Sequence, residues 1–239
     1  MNKNLIIIPT YNEINNIELI INKIVHLNLN VDILVVDDNS PDKTFEKVKI
    51  LQQELTNLFL IINKKKSGIG KAYIKGFEFA IDKNYNKVIQ IDADMSHNPD
   101  DIIKLIHASK SHDLIIGSRY INGIRIINWP LTRLALSYFA NLYAKTITGL
   151  HIHDCTAGFK CIDVELLKSI DLNKINSQGY SFQIEINFRA YVKKFKIKEI
   201  PIIFTDRTIG KSKMSKKIII EAIFIVPMLR LKKIFKFIK

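Results

Sequence analysis

The chain has 239 residues, 47% of them apolar and 25% charged, which excludes a disordered or collagen-like polymer and suffices for one large domain with a sizeable core. Thirty-six basic side chains against 23 acidic ones leave a net charge of +13, which points to an anionic partner; fourteen of the basic residues and only three acidic ones lie from residue 193 onward. The two cysteines, Cys155 and Cys161, form no C-x-x-C pair, so a disulfide framework and a thiolate zinc site are both unsupported and a reducing compartment is expected.

In chain order, short runs rich in β-branched residues recur about every 27 residues, at Leu5 to Ile8, Ile33 to Val36, Leu58 to Ile62, Val88 to Ile91 and Leu114 to Ile116. Between them the spacing predicts helices. Ile17, Ile20, Ile21, Ile24 and Val25 share one helical face, as do Val48, Leu51 and Leu55, then Phe77, Ala80 and Ile81. Apolar strands alternating with amphipathic helices predict an α/β fold with a mostly parallel central sheet flanked by helices. In such sheets ligands sit beyond the carboxyl ends of the strands. The rhythm stops after residue 120, where Trp129 to Thr148 forms an aromatic-rich helical candidate. The segment Ile218 to Leu231 is apolar but interrupted by Glu221, Pro227 and Arg230, so it is read as interfacial or packed, not spanning. The expected division is a catalytic domain over 1–217 and a basic amphipathic helical segment over 218–239.

The strand ends carry the chemistry. The first runs into Pro9-Thr10-Tyr11-Asn12-Glu13, the second into Asp37-Asp38-Asn39-Ser40-Pro41-Asp42, the fourth into Asp92-Ala93-Asp94 and the fifth into Gly117-Ser118-Arg119-Tyr120. Asp92 and Asp94, two apart on an extended chain, project to one side. Paired carboxylates are costly without a cation, so they suit Mg²⁺ or Mn²⁺ shared with a diphosphate; an acidic turn before a helix capped by Ser96 or Asn98 is the plainer alternative. Asp37 and Asp38 suit hydrogen bonds from a base or ribose, or a solvated Asx turn. Gly68-Ile69-Gly70-Lys71 fails the Walker spacing, because Lys65 stands at its first glycine and Ala72 at its Ser/Thr, which leaves a turn into a helix. Arg119, Arg133, Arg207 and Lys213 are cations that could converge on phosphate. His151, His153 and Cys155 lack the company that metal binding or nucleophilic chemistry needs, and no G-x-S-x-G elbow is present.

Taken in order, these motifs, with Asp206-Arg207 through Ser212-Lys213, Ser96-His97, Gly68 to Phe77 and Gln178-Gly179-Tyr180-Ser181-Phe182-Gln183-Ile184-Glu185, resemble the dolichol-phosphate mannose synthases of glycosyltransferase family 2. The resemblance covers about residues 5 to 215. It implies a nucleotide-sugar-binding glycosyltransferase A type fold and inverting transfer of mannose from GDP-mannose to a polyprenyl phosphate. A related polyprenyl-phosphate transferase using UDP-glucose or another nucleotide sugar is the competing implication.

By the same resemblance, Pro9, Tyr11, Glu13, Val36 and Asp38 would hold guanosine, and Asp92, Ala93 and Asp94 would lie near ribose, diphosphate and metal. Asp94 would be the principal ligand of Mg²⁺ or Mn²⁺, while Ser96 stands where some relatives carry a metal-site Gln. Arg119, Arg207 and Lys213 match positions around the donor and acceptor phosphates, and Arg133 is a further candidate for the lipid phosphate. The expected partners are the nucleotide sugar, the polyprenyl phosphate and a membrane surface, with the small membrane subunit of some eukaryotic relatives left open and no nucleic acid. The expected location is cytoplasmic, peripheral on the cytoplasmic face of a membrane. The helix around Trp129 to Tyr143 and the basic C-terminal segment are the candidate docking surfaces.

Overall fold

The structure is a computed structural model, and it describes residues 3–175, 177–207 and 216–235. The first half alternates strand and helix as predicted: β1 (Asn4–Thr10), α1 (Ile17–His26), β2 (Val31–Asp37), α2 (Thr44–Leu51), β3 (Leu58–Ile62), α3 (Ile69–Asp82), β4 (Lys87–Gln90), α4 (Asp101–Ala108) and β5 (Leu114–Ser118). The second half adds β6 (Ile126–Ile127), α5 (Leu131–Thr148), β7 (Lys160–Asp163), α6 (Val164–Ser169), α7 (Gly179–Val192), β8 (Ile197–Pro201), β9 (Phe204–Thr205) and α8 (Lys216–Ile234).

Seven strands form one sheet in the order β3-β2-β1-β4-β7-β5-β8. All neighbouring pairs are parallel except those made by β7, which runs antiparallel between β4 and β5. Both faces are covered. Leu5 and Ile7 of β1 enter one core cluster while Ile6 and Ile8 enter the other, and all four are fully buried. Each such side chain contributes about 2 kcal/mol of transfer free energy. On one side Ile17, Ile20, Ile21 and Ile24 of α1 complete the packing, and on the other Tyr73, Phe77 and Ala80 of α3 do. Gly76 lets α3 lie directly on β1, since a Cβ there would fall 2.6 Å from Ile7 Cδ1.

The register Gln90↔Lys160 brings the start of the reversed strand β7 to the carboxyl end of β4. Residues 154–159 are therefore delivered to the same edge as the ends of the parallel strands. The expected boundary between 217 and 218 falls inside α8. This helix packs on α5 and α7, with Val226 and Leu229 buried in the main core, while Ile220, Phe224 and Leu231 are exposed, so apolar groups occupy both its packed and its outer sides.

Candidate active site

A cavity of about 560 Å³ opens at the carboxyl edge of the sheet. Pro9, Tyr11, Glu13, Asp38, Asp92, Ala93, Asp94, Ser96, Arg119, Arg133 and Arg207 all line it, although the first and last are 198 positions apart in the chain. Val36 does not. It is fully buried in the core beneath, because the residue facing inward from a strand covered on both sides packs against helices. Lys213 lies outside the described residues.

Asp37 and Asp38 have separate tasks. The buried Asp37 carboxylate accepts from Thr10 Oγ1 and Ser40 Oγ at 2.7 Å and from the Ser40 N–H at 2.8 Å, fixing the turns after β1 and β2. Asp38 accepts from Asn63 Nδ2 at 2.6 Å, Ser67 Oγ at 2.9 Å and the Ser67 and Gly68 N–H groups at 3.1 and 2.8 Å. Its oxygens thus tie the 63–68 loop to β2 while one side of the residue faces the cavity. Gly68, at φ +92°, makes the sharp entry into α3, and the turn reading of this segment holds. Lys66, absent from the sequence reading, sits 3.7 Å from the centroid of the Tyr11 ring.

Asp92 and Asp94 do not sit on an extended strand. β4 ends at Gln90, and the two carboxylates lie in a turn in which Met95 takes φ +62°. Asp92 accepts from Tyr73 Oη at 3.4 Å. Burial, reinforced by Asp92, holds the Tyr73 phenol well above its ordinary value and so protonated. Asp94 Oδ1 accepts from the Ser96 N–H at 3.1 Å and from the Ser96 hydroxyl, while Oδ2 lies 2.9 Å from Arg207 Nη2. Burial opposes ionisation of Asp94, but the Ser96 hydroxyl and the Arg207 guanidinium hold its carboxyl below the usual carboxylate range. His97 is buried between Phe159 and Phe204, and burial pushes its imidazole down to about 4.

Among the described residues no group of three or more His, Cys, Asp or Glu side chains encloses a metal. Two carboxylates and a hydroxyl on a cavity wall, all hard oxygen donors, instead fit a cation that completes its shell with substrate phosphate and water.

The arginines arrive with carboxylate partners. Arg119 is buried; Asp154 Oδ2 accepts from its backbone N–H at 2.9 Å and its Nε at 2.7 Å, and Asp154 Oδ1 and Thr156 Oγ1 accept from Nη2 at 2.7 and 2.8 Å. Burial works against both charges, but each holds the other ionised. Arg133 Nη1 is 2.9 Å from both oxygens of Asp206. The two-nitrogen pairing fixes the plane of Arg119, and contact with the Trp129 ring, 4.1 Å from the guanidinium carbon to its centroid, orients that of Arg133, which suits planar recognition of phosphate.

A second hollow of about 220 Å³ adjoins the first and shares Trp129, Arg133, Thr156 and Tyr180 with it. Leu136, Phe139 and Tyr143 of α5, Ile184 of α7 and Ile223 and Val226 of α8 form its walls. It is therefore an apolar groove with a cationic mouth. Outside it, Leu131 is 81% exposed and Phe224 71% exposed, too much apolar surface on neighbouring helices to be incidental. The cysteines take no part: burial pushes the thiols of Cys155 and Cys161 up to about 12 and about 11. His153 pairs with Glu199 at 2.9 Å on the surface.

A doubly covered sheet with a carboxylate pair and fixed cations at its carboxyl edge is an α/β architecture suited to a phosphate-bearing ligand, and comparison with known proteins specifies the family. The chain belongs to glycosyl transferase family 2, which matches residues 5–171, and is a glycosyltransferase. It is 42% identical to the polyprenol monophosphomannose synthase of Mycolicibacterium smegmatis, over 93% of this chain and 84% of that protein. It is 38% identical to the undecaprenyl-phosphate mannosyltransferase of Micrococcus luteus, over 92% of this chain and 90% of that protein. The dolichol-phosphate mannosyltransferase of Pyrococcus furiosus is 36% identical over 90% of this chain and 60% of its own length. Among solved structures, glucosyl-3-phosphoglycerate synthase from Mycobacterium tuberculosis, in complex with Mn²⁺ and UDP-glucose, matches with a TM-score of 0.68 at 16% identity, covering 97% of this chain and 78% of that one. That match establishes the shared fold.

Proposed function

We propose that this chain transfers mannose from GDP-mannose to a polyprenyl phosphate with inversion at the anomeric carbon, working as a peripheral enzyme on the cytoplasmic face of a membrane. The observation that carries the reading is the continuity of the polar cavity with the apolar groove through Arg133, Trp129, Thr156 and Tyr180. A charged, water-soluble donor and a lipid with a phosphate head need such a pair of adjoining sites. The names of the three relatives support the same donor sugar and acceptor class.

In this reading the nucleoside lies at the β1–β2 end against Pro9, Tyr11, Glu13 and the Asp38-anchored loop. The diphosphate lies at the Asp92–Asp94 turn, where Asp94, Asp92 and Ser96 would hold Mg²⁺ or Mn²⁺. That cation would supply charge neutralisation to the departing diphosphate. Arg207, paired with Asp94, adds a fixed positive charge beside the same oxygens. No dedicated base is required: with a second pKa near ~6, a phosphate monoester is mostly a dianion at neutral pH and already nucleophilic. Arg119 and Arg133 align that dianion with the anomeric carbon opposite the leaving group. The isoprenoid chain follows the apolar groove towards the exposed faces of α5 and α8, which enter the headgroup region. Among the described residues no helix is long and apolar enough to cross a membrane.

The test is transfer of labelled mannose from GDP-mannose to a polyprenyl phosphate, with and without divalent cation. Cation-dependent formation of the β-linked lipid product supports the reading. Transfer from UDP-glucose in place of GDP-mannose would move the assignment to the glucosyl branch, and no transfer from either donor would end it.

A further inference from the structure

Lys160 is fully buried at the start of β7. Its Nζ donates to two oxygens of one residue, the Gln183 backbone carbonyl at 3.1 Å and the Gln183 side-chain Oε1 at 2.7 Å. A charged lysine is donor-only, and although burial pushes this one down to about 7, the neutral amine still has two N–H groups for those two acceptors. The pairing orients the carboxamide: with both Nζ contacts made to oxygens, the side-chain oxygen is the atom turned to Lys160. Oε1 faces Lys160 and Nε2 faces away from it, an orientation that the protonated amine enforces.

What lies on that other side is the cavity, which both Gln183 and Gly158 line. A Cβ placed on Gly158 would be 3.7 Å from Gln183 Nε2 and 3.8 Å from Asp92 Oδ2, so the amide donor and the carboxylate converge over a residue that has no side chain. Among the described residues no group accepts from Nε2. The sheet order places this spot. In the reading above the nucleoside end is at β2 and β1 and the diphosphate turn follows β4; Gly158 stands two residues before β7, the next strand along. On that order, a sugar attached beyond the diphosphate would lie towards Gly158.

We infer that Lys160 is a positioning residue that holds the Gln183 carboxamide with its Nε2 group turned into the cavity, where it donates a hydrogen bond to a hydroxyl of the transferred sugar. This rests on the sugar-transfer reading above. Gln183 then touches substrate, and Lys160 acts through it.

The experiment compares Gln183→Glu, Lys160→Met and Lys160→Arg with the wild-type chain, measuring steady-state transfer and calorimetric binding of GDP-mannose and of GDP. Gln183→Glu is the decisive variant, because it keeps the size of the side chain and strengthens the bond to Lys160 while replacing the donor with an acceptor beside Asp92. A purely structural role for Gln183 predicts no loss from it. The expected result is a fall in kcat/KM for GDP-mannose of roughly 10- to 100-fold and weaker GDP-mannose binding, with GDP affinity within about twofold of wild type. Lys160→Met should lose about tenfold and Lys160→Arg, a donor-only side chain, should recover most of it. Undiminished transfer by Gln183→Glu, or equal losses of GDP and GDP-mannose affinity, would overturn the inference alone. A wild-type chain that neither binds nor uses GDP-mannose would instead remove the donor reading and this inference with it. If Lys160→Met does not fold, Gln183→Glu still decides.

Discussion

A single nitrogen of Arg133 bridges the Asp206 carboxylate and ties α5 to the residue following β9: Nη1 lies 2.9 Å from each carboxylate oxygen, and the guanidinium carbon stands 4.1 Å from the Trp129 ring centroid. The pair sits where the polar cavity meets the apolar groove, so the plane of the guanidinium is set before any acceptor arrives. Lysine at this position keeps the charge but loses the stacking on Trp129 and the further guanidinium nitrogens that an acceptor phosphate would engage. Arg133→Lys should therefore raise KM for polyprenyl phosphate about tenfold, equivalent to about 1.4 kcal/mol, and leave KM for GDP-mannose unchanged. Kinetics with each substrate varied in turn check this, and equal rises in both constants would place Arg133 elsewhere in the reaction.

Asp94 makes a different kind of contact, with Ser96 on one oxygen and Arg207 on the other. Asp94→Asn preserves size and most of this hydrogen bonding but removes the charge that Arg207 and a divalent cation both require. The expected outcome is a loss of at least about 100-fold in transfer, close to 2.7 kcal/mol of barrier. A binding readout accompanies it. Mn²⁺ with GDP should raise the melting temperature of the wild-type chain and not that of the variant, since only a ligand that binds the folded state stabilises it.

How far the sequence carried these assignments depended on the physical signal each residue leaves. The five parallel strands were legible because strands buried on both faces read as apolar runs, and the strand ends Pro9 to Glu13, Asp92 to Asp94 and Arg119 marked the cavity. β7 was hidden because its four residues begin with a buried lysine and end in aspartate. α7 was hidden because Ser181, Gln183, Glu185, Asn187 and Arg189 are buried along with its apolar residues, which erases the polar face that periodicity relies on. The partners of the arginines were invisible for another reason. Arg119 meets Asp154 across 35 positions and Arg133 meets Asp206 across 73, and no local pattern encodes such pairs. Lys160 carries no motif, and Gln183, although inside the Gln178 to Glu185 motif, has no partner that a local pattern reveals; only the reversal of β7 brings the two together.

The burial of Lys160 also leaves a signature in stability. In the unfolded chain its pKa is the ordinary 10.5, and in the folded chain it is about 7. Between those values the unfolded state holds the extra proton, so the free energy of unfolding rises with pH across this window, and below pH 7 the full cost of charging a buried amine is felt. Relative to Lys160→Met, the wild type should gain stability by up to about 1.4 kcal/mol per pH unit above neutrality. Cys155 and Cys161 have raised values and work in the opposite sense, but both proteins contain them and the difference cancels their effect. Urea denaturation of the two proteins at several pH values between 7 and 10 provides the check; parallel curves would mean that Lys160 stays charged in the fold.

Membrane docking requires a more careful cut than removal of the C-terminal helix. Val226 and Leu229 of α8 are buried in the core, so trimming from residue 218 would expose the side of the groove and damage the fold as well as any docking face. Leu131 and Phe224 are better probes: both are strongly exposed, and neither lines the cavity or the groove. An inserted Leu or Phe side chain is worth about 2 kcal/mol, so Leu131→Asn with Phe224→Ser should lower partitioning into anionic vesicles by well over about tenfold. Transfer to a short-chain, water-soluble acceptor phosphate should be unaffected, because the cavity and the mouth of the groove are untouched. Flotation with anionic vesicles gives the first number and a solution assay the second. If the double variant floats as the wild type does, the exposed faces of α5 and α8 are not what meets the lipid, and the acceptor must reach Arg133 by another route.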